Sequence, residues 1–247
     1  KTMNPFNKSH KQLSIFITAG YPTKTSLINQ LELLEKSNVD FVEIGIPFSD
    51  PLADGETIQK SSSIALKNEM TIDLIFDQIS QAEFNKPIAI MGYFNPILKY
   101  GFVPFLKRCK ENRVSALIIP DLSIEIYERD YEKYFDEFEI SPVFLITNRT
   151  KDERIIRMSK KSENSFIYLV PQNATTGVAN ELSIDQCEII RIKNLVGNTP
   201  MMIGFGINDK NDLGKAQLNS NGGIIGSAFI RAIENDQVNL FLEKLTT

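Results

Sequence analysis

Ser14-Ile15-Phe16-Ile17-Thr18-Ala19-Gly20-Tyr21-Pro22-Thr23 decides between two architectures for this chain. After Ser14 the next five residues are apolar or β-branched, and residues 14–19 read as a strand, which Gly20 and Pro22 then end. A doubly wound open sheet carries G-x-G-x-x-G directly after its first strand, and Gly20-Tyr21-Pro22-Thr23 does not supply it. Outward from this point, further strands read at residues 40–45, 87–93, 114–120, 142–147, 165–171, 200–204 and 223–226. Amphipathic segments lie between them, at 27–36, 58–67, 102–111, 124–138, 152–161 and 184–195, with apolar residues three and four apart as in Leu27, Leu31 and Leu34. Thr23 or Thr25, Ser123, and Asn208 or Asp209 are helix start signals. About eight strands, each followed by helix, predict an α/β fold of the (β/α)8 TIM barrel type. The expected organisation is a single domain over 1–247, with a short N-terminal extension before the first strand. Strands apolar on both faces suit a parallel sheet covered by helices.

The second strand contains a carboxylate. Phe41-Val42-Glu43-Ile44-Gly45 runs into Ile46-Pro47-Phe48-Ser49-Asp50-Pro51-Leu52-Ala53-Asp54-Gly55, which adds two more acids. Burying Glu43 as an unpaired charge is costly. The usual relief is a pKa raised toward neutrality, which is what a general acid or base needs. The sequence spacing leaves a second reading open, in which Glu43 tips out of the strand end into water or caps a backbone group. In a barrel, alternate residues face inward. Phe41, Glu43 and Gly45 then point to the interior, and Val42 and Ile44 to the helices. Glu43 falls near the C-terminal mouth, where such barrels carry their chemistry, and Asp54 is placed to fold back over it.

Composition narrows the possibilities. Of 247 residues 42% are hydrophobic, enough for a full core, and no apolar run is long enough to cross a bilayer. Residues 1–11 are polar and lack the apolar stretch of a secretory signal. A net charge of −4 argues against a nucleic-acid partner. The two cysteines, Cys109 and Cys187, lie in helix-like stretches and are expected to be reduced, buried thiols of a cytoplasmic protein. The only histidine, His10, sits in a polar stretch and is expected to be exposed on a helix. A Ser-His-Asp or Cys-His nucleophile, or a histidine-based metal site, would depend on it alone. Chemistry therefore rests on carboxylates, hydroxyls and backbone dipoles, with no metal expected.

Gly204-Phe205-Gly206 follows the seventh strand, and Gly226-Ser227-Ala228 opens the last helix after the eighth. Loops seven and eight with a helix N-terminus form the recurrent phosphate site of this architecture. The alternative is a pair of tight turns with Ser227 as an ordinary N-cap. A third loop, Gln172-Asn173-Ala174-Thr175-Thr176-Gly177-Val178, reads either as a lid or as a solvated connection.

Taken together these residues resemble the tryptophan synthase alpha subunit family over nearly the whole chain. The anchors are Phe16–Pro22, Glu43–Gly55, Met91-Gly92-Tyr93-Phe94-Asn95-Pro96, Pro120-Asp121-Leu122, Thr176-Gly177, Gly204-Phe205-Gly206-Ile207 and Gly226-Ser227-Ala228. The resemblance implies retro-aldol cleavage of indole-3-glycerol phosphate to indole and glyceraldehyde 3-phosphate, with no metal or organic cofactor on this chain. It implies Glu43 as the acid/base carboxylate and Asp54 as the carboxylate that holds the indole N–H. Gly177, Gly206, Gly226 and Ser227 match phosphate positions, with Thr176 beside them. Phe16, Ile118, Tyr168 and Phe205 match apolar positions around the indole, and Tyr93 lies by the carboxylates. It further implies a heterotetramer with a pyridoxal-phosphate beta subunit, docked at Pro47, Asp50, Asn95 and Ser123. Two departures stand out: Gln172 where the family often has Arg, and Ser123 where it often has Pro. They bear on regulation more than on cleavage.

Rival functions fit less well. A Schiff-base aldolase needs an inward lysine, and none of the expected strands contains one. A Mg²⁺ site from Asp50 and Asp54 is chemically conceivable, but the resemblance assigns neither to metal. A stand-alone lyase releasing free indole, and a non-catalytic activator of a beta subunit, remain as alternatives. Retention of Glu43 and Asp54 counts against the activator.

Overall fold

Eight parallel strands close into a barrel in the computed structural model, which describes residues 3–170 and 185–246. In chain order the elements are β1 (Gln12–Thr18), α1 (Ser26–Glu35), β2 (Phe41–Gly45), α2 (Glu56–Lys67), α3 (Ile72–Gln81), β3 (Ile88–Met91), α4 (Phe94–Tyr100), α5 (Phe102–Glu111) and β4 (Val114–Ile118). They continue with α6 (Ile124–Ile126), a π-helical segment (Tyr127–Tyr131), α7 (Glu132–Phe138), β5 (Ser141–Ile146), α8 (Asp152–Lys161) and β6 (Ile167–Leu169). The rest are α9 (Gln186–Val196), β7 (Met201–Gly204), α10 (Lys210–Leu218), β8 (Gly222–Ile225), α11 (Ser227–Glu234) and α12 (Val238–Thr246). Closure is made where β1 pairs β8, with Ser14 opposite Ile224.

The period-two alternation of the strands sorts their side chains into two cores. Val42 and Ile44 pack outward with Leu27, Leu31 and Leu34, the apolar stripe of α1, in the shell between strands and helices. Phe16, Phe41, Met91, Ala116, Ile118, Tyr168, Met202 and Ile224 fill the barrel interior. One irregularity breaks the alternation. Ile88 pairs with Val114 but Ala89 with Ala116, so Ser115 is skipped as a bulge. The bulge lets Val114 join the outer shell while Ala116 turns inward.

The N-terminal extension proves to be the floor of the barrel. Phe6 is fully buried and meets Phe41 and Phe166 edge-on, at 5.1 and 5.2 Å between ring centroids. Asn4 Nδ2 fixes the segment by donating to the Glu163 and Ser165 carbonyls. His10 lies in a bend, not on a helix, and pairs with Asp40. Residues 124–138 are not one continuous helix, because the π turn interrupts them. Ser123 and Asp209 cap α6 and α10 as their positions suggest, whereas Thr25 makes no side-chain cap. Of the two free cysteines Cys109 is buried, but Cys187 is exposed in the first turn of α9, two residues beyond its N-cap Asp185.

Candidate active site

Glu43 enters the site because β2 alternates: with Val42 and Ile44 committed to the helices, Glu43 faces the interior. It is 1% exposed, and its Oε2 meets no hydrogen-bond partner among the described residues. Burial first, and the Asp54 charge second, raise its pKa from 4.5 to about 8. At neutral pH the group is a protonated carboxylic acid with a proton to give. The reading in which Glu43 tips into water is thereby excluded.

Asp54 arrives from the loop between β2 and α2. That loop is held by turn bonds, Leu52 N–H to the Asp50 carbonyl at 2.9 Å and Asp54 N–H to the Pro51 carbonyl at 3.0 Å. Tyr93, at the entry to α4, clamps it from the side. Its hydroxyl accepts from Ala53 N–H at 2.9 Å and donates to Asp54 Oδ2 at 3.1 Å, while its ring packs on Phe48. Burial raises the Asp54 pKa from 3.8 to about 6, and the Tyr93 hydrogen bond limits the rise. Asp54 is therefore ionised at neutral pH while Glu43 is not. Desolvation and the neighbouring Asp54 charge push the Tyr93 phenol upward, so it stays a neutral donor.

Both carboxylates line one cavity of about 260 Å³ at the C-terminal mouth of the barrel. Its walls are apolar: Phe16, Met91, Leu145, Tyr168, Phe205 and Ile224. Two glycines make room for the aromatic walls. A Cβ on Gly45 would lie 2.4 Å from the Phe16 ring, and one on Gly204 would lie 2.2 Å from that of Tyr168. Phe205 has φ +73°, a left-handed conformation unusual for a side chain of its size, and its ring lies alongside Tyr168. The far end of the cavity is lined by Gly206, Gly226 and Ser227. There α11 begins with no side-chain cap, so its first backbone N–H groups and helix dipole favour an anion.

The sequence-derived site is largely assembled by the fold. Phe16, Glu43, Asp54, Tyr168, Phe205, Gly206, Gly226 and Ser227 line the cavity, and Tyr93 stands behind Asp54. Ile118 is fully buried in the barrel interior, opposite its register partner Met91, which lines the cavity. Thr176, Gly177 and Gln172 lie outside the described residues. Of the residues expected to face a partner, Asp50 and Asn95 are exposed, Ser123 is half-buried and Pro47 is buried. Met91, Leu145 and Ile224 were not assigned to the site from the sequence, although inward alternation of their strands would have marked them. Arg231, also at the cavity rim, carried no signal beyond that of an ordinary helix arginine. Among the described residues no cluster of three metal-ligating side chains occurs, and no helix is long and apolar enough to cross a membrane.

Comparison with known proteins places this geometry. Residues 4–245 match the family model described as tryptophan synthase alpha chain. The chain is 44% identical to the tryptophan synthase alpha chain of Christiangramia forsetii over 253 residues, covering 98% of each. It is also 44% identical to that of Karelsulcia muelleri, covering 96% of this chain and 94% of the relative. Among solved structures, the tryptophan synthase subunit alpha from Campylobacter jejuni superposes with a TM-score of 0.84 at 27% identity, with 96% of each chain covered. With the closed barrel, the two inward carboxylates and the glycine-lined anion end already in place, the chain belongs to the tryptophan synthase alpha chain family.

Proposed function

We propose that this cavity cleaves indole-3-glycerol phosphate to indole and glyceraldehyde 3-phosphate, with Glu43 as proton shuttle and Asp54 as electrostatic partner. The observation that carries the reading is that Glu43, wholly buried, and Asp54, held by the Tyr93 hydroxyl, line one apolar cavity, where burial raises the first to about 8 and the second to about 6. The indole lies between the apolar walls with its N–H donating to Asp54. The phosphate lies at Gly206, Gly226 and Ser227. Glu43 gives its proton to indole C3, which leaves the ring cationic at nitrogen, and the Asp54 carboxylate stabilises that charge. The Glu43 carboxylate then takes the proton of the adjacent glycerol hydroxyl. As the carbonyl forms, the C–C bond breaks and its electron pair neutralises the ring. Glu43 ends the cycle protonated, as it began. Every proton is accounted for by one carboxyl group, so no metal or organic cofactor is needed on this chain.

The partner is a beta subunit that uses pyridoxal phosphate and consumes indole, in a cytoplasmic heterotetramer of two alpha and two beta subunits. Asp50 in the loop after β2, Asn95 at the start of α4 and Ser123 at the cap of α6, all beyond C-terminal strand ends, support that reading. The test is an assay of the purified chain with indole-3-glycerol phosphate, alone and with the beta subunit. Slow release of both products alone and faster release in the complex are expected. No turnover under either condition overturns the enzymatic reading in favour of an activator. Equal, fast turnover without the partner identifies a stand-alone lyase.

A further inference from the structure

The charges around the cavity are unbalanced. Beside the protonated Glu43, the acids Asp54 and Glu56 line it, and Arg231 is the only basic residue that does so among the described residues. A phosphate ester is a dianion, and the ionised acids oppose its entry. Backbone N–H groups and a helix dipole supply partial charges only.

Arg231 is placed to supply a full one. It lies four residues after Ser227 on α11, hence on the same face of the helix one turn further along. Its Nη2 donates to Asn208 Oδ1 at 2.7 Å. Asn208 Nδ2 in turn donates to the Gly206 carbonyl at 3.1 Å, and Asn208 N–H donates to Asp212 Oδ2 at 3.1 Å. This chain of bonds ties the guanidinium of α11 to the loop after β7. Among the described residues no carboxylate pairs with Arg231. The side chain is exposed at the rim, and Nη2 to Asn208 accounts for one of its five N–H donors, leaving others for a ligand.

We propose that Arg231, held over the anion end by Asn208, contacts the substrate's phosphate and supplies the charge that selects a phosphate ester for this cavity. This rests on the reading of the cavity as the indole-3-glycerol phosphate site. The guanidinium is tied to the loop that carries Gly206 and shares a helix with Ser227, so it acts on binding of the phosphate and not on bond cleavage. Asn208 is the positioning residue: it takes one N–H of the guanidinium and anchors it to the loop that carries Gly206.

The experiment compares the full chain with its Arg231→Gln, Arg231→Lys and Asn208→Ala variants, after equal thermal unfolding has shown that each is folded. Glycerol 3-phosphate and indole are titrated separately by calorimetry, and cleavage is followed at several salt concentrations. Arg231→Gln should weaken glycerol 3-phosphate binding and raise KM about tenfold, in line with loss of a charge-assisted hydrogen bond at a partly solvated site. Its kcat should stay within about twofold, indole binding should be unchanged, and the salt dependence of KM should flatten. Arg231→Lys should recover most of the loss, because the charge is kept and only the fork is lost. Asn208→Ala should fall between the two. Unchanged glycerol 3-phosphate binding in Arg231→Gln overturns the proposal, and so does a loss confined to kcat or shared equally by indole. If the unsubstituted chain cleaves nothing yet binds glycerol 3-phosphate through Arg231, the proposed reaction fails while the phosphate site stands.

Discussion

Glu43 shows how far a single residue can be read. An acid in the run Phe41-Val42-Glu43-Ile44 signals an unusual carboxyl, and the barrel alternation turns it inward, where it is found 1% exposed. What the sequence could not supply is the state of its partner. Asp54 is kept as an anion by the Tyr93 hydroxyl, a contact between residues 39 positions apart. The same burial that suits Glu43 to proton transfer weakens the fold. Its carboxyl titrates at about 8 when folded and near 4.5 when free. Between those values the folded chain holds a proton that the unfolded chain releases, so this contribution to stability is complete below pH 4.5 and is lost as pH rises through 8. Glu43→Gln removes the titration. It should abolish cleavage by a factor of about 10² to 10⁴ and also unfold at a higher temperature than the parent, by a margin that widens from acid pH toward pH 8. Thermal scans across that range test this, and a margin independent of pH would show that Glu43 is not held protonated. Asp54→Asn keeps the shape but removes the charge opposite the ring, and should cost about 10²- to 10³-fold in kcat. Tyr93→Phe deletes the hydrogen bond that lowers the Asp54 pKa, so the acid limb of the kcat/KM profile should move above about 6. An unmoved limb would separate Tyr93 from Asp54.

Elements were legible where a short-range rule governs them. The eight strands lie within a few residues of their expected positions, because a β-branched run bounded by Gly or Pro has few alternatives in so short a length. Less was readable where a contact spans the chain. Phe6 is a single aromatic in a polar stretch, and only the closed barrel gives it Phe41 and Phe166 to pack against. The skipped Ser115 follows from pairing with β3, not from its own segment. Helix α4, at seven residues, is too short for a periodic pattern to reveal it. Helix α3 was within reach, since its buried Ile75, Phe76 and Ile79 recur at helical spacing. The glycines at the strand ends show the rule in reverse: a missing side chain on one strand admits a ring from another. Gly45→Ala puts a methyl group within 2.4 Å of Phe16 Cζ and should destabilise the barrel by about 1–3 kcal/mol. Combined with Phe16→Leu, which lacks the clashing atoms, much of that cost should vanish. Additive losses in a denaturant-unfolding double-mutant cycle would place the strain elsewhere.

At the scale of the whole molecule the β2–α2 loop joins the interior to the surface. It begins three residues beyond Glu43, exposes Asp50 and Leu52, and brings Asp54 into the cavity just before α2. A single exposed leucine is common on any protein and by itself means little. Leu52, at 92% exposure, gains meaning from its neighbours, because it sits between an exposed acid and a cavity acid on one short turn. A beta subunit gripping Asp50 and Leu52 would press on the same turn bonds that set Asp54 against Tyr93. Its binding energy could then fix the catalytic carboxylate, which is coupling between two sites in the thermodynamic sense. The physical need is plain as well: indole is small and apolar, and a partner over the mouth captures it before it reaches bulk water. Asp50→Ala should therefore reduce stimulation by the beta subunit severalfold while basal cleavage stays within about twofold, the size expected of a coupling near 1 kcal/mol. Leu52→Ser should weaken assembly itself, seen as a higher concentration of beta subunit needed for half-maximal stimulation. Full stimulation at unchanged concentration in both variants would remove this loop from the interface, and failure of the parent chain to bind its own beta subunit would leave it a lyase that releases indole alone.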